Sequence, residues 1–300
     1  MFRRIGFVVI LLLISAPAGA QDAPAPATAP SASSRFPTPS ELLEQMKQRR
    51  EKTAGQTKVA FIDIDSAITE KAPGFSLFAD ADHQTLHNLL QRLTKAREDD
   101  SVKAVLLTLG ADAEVNLAQA QEIRQKLAAL KSAGKKTFVY ADAYDTVGYS
   151  IAAGATDVCL PQGGEIMIPG VGMETMYYKG TFDKLGVSAD YIQIGEYKGA
   201  EEPYTRTAAS DQLKGELTRL ADAMYGQIVE GIRSGRDLPE QTVRGMIDNA
   251  MMSARSAKDK GFVDHLVEQD GLRDLLKQSL GNDINLVRNY GEEETPELDL

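Results

Sequence analysis

The stretch Ile192-Gln-Ile-Gly195-Glu196-Tyr-Lys198-Gly199-Ala-Glu201-Glu202-Pro203 sets a lysine on a glycine-flanked loop directly after a β-branched run that reads as a strand. An amine so placed has two readings: a solvated surface charge, or a general base. The second requires burial or neighbouring cations to bring its pKa down towards about 7–8. Glu196, Glu201 and Glu202 would push it the other way wherever they lie close to it.

Few other side chains invite chemistry. His83 and His87 share an i,i+4 face, a spacing that suits a metal, but no HExxH pattern or downstream ligand accompanies them. A solvated helix face is the reading that stands. His265 follows Gly261-Phe-Val-Asp264 on a predicted strand and has no partner legible in one dimension. Cys159 is the only cysteine, so no intrachain disulfide forms. In the apolar run Thr156-Asp-Val-Cys-Leu160 it reads as a small buried hydrophobe. Neither a metal nor a cofactor is expected.

The elements that must position these residues alternate. Val59–Ile64, Val102–Leu109, Thr137–Tyr140 and Thr156–Leu160 read as buried strands, with helices over Leu86–Ala96, Leu117–Leu130 and Gly148–Ala155 between them. Such strand–helix–strand units imply right-handed crossovers and a mostly parallel sheet. A turn at Gly163-Gly164 follows. Helices over Gln212–Gly231 and Pro239–Ile247, a short strand at Phe262-Val263 and an apolar element at Asn285–Arg288 complete one domain, 58–290. Lys179 and Lys184 fall on a further predicted helix.

The ends read differently. Met1-Phe-Arg3-Arg4 is a basic n-region, Ile5 to about Pro17 an apolar h-region, and Ala18-Gly19-Ala20 a cleavage site before Gln21, so 1–20 is expected to be a signal peptide. A retained anchor is the alternative, although the run is short of the ~20 residues a spanning helix prefers. No cysteine follows it to take a lipid. Residues 21–57 read as an Ala/Pro/Ser linker and a charged helical segment with Ser40 as its N-cap, and 291–300 as an acidic linker or tail. The chain is expected in the periplasm or on the outer face of the cytoplasmic membrane. With 33 basic against 43 acidic residues and a formal charge of −10, nucleic acid is not an expected partner.

The block Tyr177-Tyr178-Lys-Gly-Thr-Phe-Asp-Lys-Leu-Gly186-Val-Ser followed by Gly195-Glu-Tyr-Lys198-Gly-Ala-Glu-Glu-Pro203-Tyr-Thr-Arg206 closely resembles the signal peptide peptidase A family. It is most similar to the N-terminal half of that family's long, two-domain form. The resemblance extends through Lys135–Tyr140, Gly148–Ala152, Ser234-Gly-Arg236 and Ala257–Asp264, covering about residues 58–270. It implies a crotonase/Clp-protease-like α/β fold and a Ser–Lys dyad that cuts peptides in or near the membrane, a variant of the triad logic with lysine as base.

The family's base lysine falls on Lys198. Its serine motif, an Ala-Ser-Gly-Gly-Tyr-like helix start, falls on Asp145-Thr146-Val147-Gly148-Tyr149, so Thr146 stands at the nucleophile position and Val147 replaces a glycine. Its Ser-Pro-Gly-Gly block falls on Leu109-Gly-Ala-Asp-Ala-Glu114, where the paired glycines are gone. An oxyanion hole needs backbone N–H groups at close approach, which a Cβ obstructs. The resemblance therefore implies a half that supplies Lys198 to a serine on a C-terminal half or partner subunit. Cleaved signal peptides are the implied substrates, in a homo-oligomer, with Thr146 not a working nucleophile. A non-catalytic scaffold or peptide-binding domain on the same fold is the alternative. An acyl-CoA enzyme of crotonase type is disfavoured by export away from CoA.

Overall fold

In the computed structural model residues 55–70, 84–288 and 290–292 are described, with a few positions between 38 and 47. Residues 1–52 and 53–300 make two compact units. The signal-peptide segment 1–20, most of the linker, His83 and the tail beyond Glu292 lie outside the described residues. In the first unit the Thr38 N–H and hydroxyl both donate to the Glu41 carboxylate, at 2.7 and 2.9 Å, and the Glu41 N–H returns to Thr38 Oγ1 at 3.3 Å. This reciprocal cap is made by Thr38, two residues before the expected Ser40, because the acid three positions on completes it.

The second unit is built on β1 (Thr57–Ile64), α1 (Leu86–Glu98), β2 (Val102–Leu109), α2 (Leu117–Ser132), β3 (Lys136–Ala141), α3 (Thr146–Ala152) and β4 (Asp157–Leu160). β5 (Glu165–Met167), α4 (Lys179–Leu185), α5 (Glu202–Thr205), α6 (Asp211–Arg236), α7 (Glu240–Asp248) and β6 (Met251–Ser253) follow. α8 (Ala254–Asp259), β7 (His265–Leu266), α9 (Leu272–Leu280) and β8 (Ile284–Val287) complete it. Six strands form one sheet in the order β7-β4-β3-β2-β1-β8, every neighbouring pair parallel. The α/β reading holds.

Both sheet faces are covered, which is why the strands read as largely apolar runs. Ile62, Leu107, Val139 and Val158 face one layer, packed with Leu89 and Leu93 of α1, Ile123 and Leu127 of α2 and Tyr149 of α3. The alternate residues Val59, Leu106, Phe138 and Cys159 face Leu272 and Leu276 of α9. Cys159 is fully buried there, and burial pushes its thiol up, so it packs as a hydrophobe.

Two local expectations change and one small sheet is new. The strand near Phe262-Val263 is instead His265-Leu266: Phe262 and Val263 turn their side chains into the core, and the ladder with β4 begins only after them. Among the described residues Ile192-Gln-Ile194 pairs with no strand and joins no sheet. A two-stranded antiparallel sheet, β5 with β6, was not visible in the sequence, its strands being three residues each. Among the described residues no helix is long and apolar enough to cross a membrane.

Candidate active site

Open parallel sheets bind ligands outside the carboxyl ends of their strands. Here β2 ends at Leu109 and β3 at Ala141, and the loops that follow close around a cavity of about 340 Å³. Gly110, Ala113, Asp142, Asp145, Val147 and Gly148 are among its lining. The two segments matched to the oxyanion and nucleophile blocks therefore do converge.

Their two glycine N–H groups are already bonded within the chain. The Gly110 N–H donates to Ile64 O at 2.7 Å, extending the β1–β2 ladder, and a Cβ at Gly110 would stand 3.1 Å from Asp65 Cα. The Gly148 N–H donates to the Asp145 carboxylate at 2.6 Å. Asp145 is the N-cap of α3, so the chain's own anion occupies the helix start where an oxyanion would seek a donor. Thr146, the first residue of α3, is half-buried, does not line the cavity, and uses its carbonyl to accept from Ser150 Oγ at 2.7 Å.

Lys198 stands elsewhere. It lies on an arm, residues 171–206, that leaves the sheet after β5 and returns at α6; the side chain is exposed, and among the described residues it has no hydrogen bond or ion pair. Gly195, with φ of +100°, makes the turn before it, a conformation that a side chain would strain. Tyr178, Phe182 and Tyr191 stack on Tyr204 with ring centroids 5.9, 6.2 and 6.3 Å away. Around this stack the arm is apolar and open: Ile192 is 98% exposed and Ile194 85%. Lys198 does not line the cavity beside Thr146.

Sequence reasoning missed two polar pairs. The His265 ring meets the Asp157 carboxylate at 2.8 Å across the β4–β7 edge. Arg236 donates to Asp264 at 2.8 Å and to Gly261 O at 3.1 Å, while Asp264 accepts the Val158 N–H at 2.7 Å. The blocks Ser234–Arg236 and Ala257–Asp264 thus share one partly buried ion pair that fastens α6 to the sheet edge. Their pattern carried a signal, and what it signalled was architecture.

A family model, peptidase family S49, matches residues 129–282, half of the chain. The chain belongs to peptidase family S49. Protease 4 of Haemophilus influenzae is 28% identical over 151 residues, 50% of this chain and 25% of that protein. Protease 4 of Salmonella typhi is 24% identical over 240 residues, covering 73% and 39%. The chloroplastic serine protease SPPA of Arabidopsis thaliana is 21% identical over 197 residues, covering 66% and 29%. The chain spans between a quarter and two fifths of the length of these relatives. Among solved structures, a mutant of a membrane-bound stomatin-specific protease aligns at TM-score 0.44 with 16% identity, covering 80% of this chain and 93% of that one. An enoyl-CoA hydratase/isomerase of Legionella pneumophila aligns at TM-score 0.36 and 15% identity, covering 65% and 63%.

Proposed function

We propose that this S49 chain is the lysine-bearing half of an exported Ser/Lys endopeptidase that degrades cleaved signal peptides. A second domain or subunit supplies the serine and oxyanion hole. One observation carries the reading: Lys198 is presented on an exposed, apolar arm, apart from a cavity whose glycine donors are already bonded within the chain. Apolar surface on this scale favours a cover, since each Å² removed from water contributes about 25 cal/mol. A partner docked there, a second copy included, would desolvate Lys198 at the same time.

The full chain on its own is expected to hydrolyse unstructured peptides no faster than buffer. A missing oxyanion donor costs about 3–4 kcal/mol of barrier. Fluorogenic peptide turnover that disappears in Thr146→Ala would show instead that the chain carries its own dyad, since lysine-assisted threonine attack is allowed chemistry.

Asp145 supports a second reading, a non-catalytic scaffold or peptide-binding domain. Its carboxylate occupies the helix start, accepting the Gly148 N–H. Reconstitution with a serine-bearing S49 half separates the two: cleavage that depends on this chain supports the protease, and binding without cleavage supports the scaffold.

Export is part of the proposal. The mature protein is expected to begin near Gln21, as read by intact mass of the periplasmic fraction. Recovery of chain starting at Met1 from membranes would replace cleavage with a retained anchor.

A further inference from the structure

Between Ile168 and Ile228 only two residues are buried, and both are polar: Glu202, 4% exposed, and Ser210, 8% exposed. They are bonded to each other. One Glu202 carboxylate oxygen accepts the Ser210 N–H at 2.7 Å, and the other accepts its hydroxyl. That hydroxyl in turn accepts the Leu213 N–H at 3.1 Å, making Ser210 the N-cap of α6. Burial pushes the Glu202 carboxyl up, but the Ser210 hydrogen bonds and the nearby Arg206 charge outweigh it and hold the group below its ordinary value. Glu202 is therefore an anion whose two oxygens are both engaged.

On its other side Glu202 is tied to the lysine. The turn Gly199–Glu201 begins directly after Lys198, and the Glu202 N–H donates back to Gly199 O. Gly199 lies against α6, where a Cβ would stand 2.9 Å from the Leu213 side chain. Pro203 O accepts the Tyr178 N–H at 2.6 Å, joining the same turn to the start of α4. α6 runs 26 residues and enters the core at Ile228, Val229 and Ile232. A helix cap needs the serine hydroxyl alone. The buried carboxylate adds something else, a fixed link between a rigid helix and the backbone four residues beyond Lys198.

We infer that Glu202, clamped to Ser210, is a positioning residue that sets the Lys198 turn on the first turn of α6. The inference rests on Lys198 being the general base of the proposed protease. It also gives a role to an acid so close in sequence to that base, since both carboxylate oxygens are hydrogen-bonded to Ser210.

The test uses the full chain with Glu202→Ala, Ser210→Ala and both together. Amide hydrogen exchange is read over residues 196–206 and 210–214. Each single variant is expected to speed exchange in both segments by about tenfold or more, while β2 and β3 amides keep their protection. The double variant is expected to be no worse than the worse single, as for two ends of one link. In the reconstituted protease Glu202→Ala is expected to lower kcat with KM near the parent value, alongside Lys198→Ala as the reference.

Unchanged exchange in Glu202→Ala overturns the clamp. Faster exchange with kcat unchanged, while Lys198→Ala abolishes cleavage, overturns the positioning role and leaves a structural link. Cleavage that survives Lys198→Ala removes the general-base reading itself, a result that the exchange data do not depend on.

Discussion

Lys198→Arg is expected to abolish peptide cleavage by the assembly that contains this chain as completely as Lys198→Ala does. A general base must be neutral to accept the serine proton, and desolvation at a docked interface favours the neutral amine. Guanidinium stays protonated under any burial a protein provides, so arginine conserves charge and loses the function. The loss in kcat is expected to fall in the range of about 10²–10⁴-fold that a general base contributes. Folding and assembly should survive, because among the described residues the Lys198 side chain has no hydrogen bond or ion pair to lose. Lys179 and Lys184 on α4 are the internal controls. Lys179 pairs with Asp183 at 2.7 Å on the surface, an i,i+4 bond of the kind worth about 0–1 kcal/mol, so alanine there should leave cleavage intact. Full activity in Lys198→Arg would end the general-base assignment and put the scaffold reading in front.

Gly235→Ala in α6 is expected to destabilise the protein. Helix propensity alone points the other way, since alanine is favoured over glycine inside a helix by about 1 kcal/mol. At Gly235, however, an added Cβ would stand 2.2 Å from the Ala153 carbonyl oxygen, a backbone atom that cannot swing aside. Overpacking of this kind costs about 1–3 kcal/mol or more, so the clash wins, and a net loss of about 2 kcal/mol is the expectation. For a domain of this size that is a fall in Tm of about 4–8 °C. Gly226→Ala in the same helix reverses the sign: a Cβ there meets nothing within 4 Å, so stability should hold or rise by up to about 1 kcal/mol. Thermal melts of the two variants check both statements. Equal Tm values would show that α6 and the Ala153 turn separate without cost.

The pair also shows how a sequence block can be read. Ser234-Gly235-Arg236 stood out as a family signature, and nothing in one dimension says whether such a block is chemical or structural. In the fold Gly235 lets α6 approach the end of α3, and Arg236 reaches Asp264 of the other distant block. The buried strands were legible because Val59–Ile64 and Val102–Leu109 are apolar on both alternating faces, which only a doubly covered sheet requires. Ile192-Gln-Ile194 has the same composition and joins no sheet. Strand propensity describes how side chains pack on a pleated neighbour, and among the described residues no strand pairs with this segment.

The α/β alternation, the parallel sheet and the family could be read from the chain alone, because these follow from periodicity and from motifs held in contiguous residues. It also singled out Lys198, Thr146, Val147 and the missing glycine pair. Tertiary structure alone decided what those positions have to work with. Hydrogen-bond partners are set by chains that meet in space: the Gly110 N–H goes to Ile64, the Gly148 N–H to Asp145, and both Glu202 oxygens to Ser210. Each such bond engages a donor or an acceptor that a linear reading leaves free, and a backbone N–H donated within the chain is not there for an oxyanion.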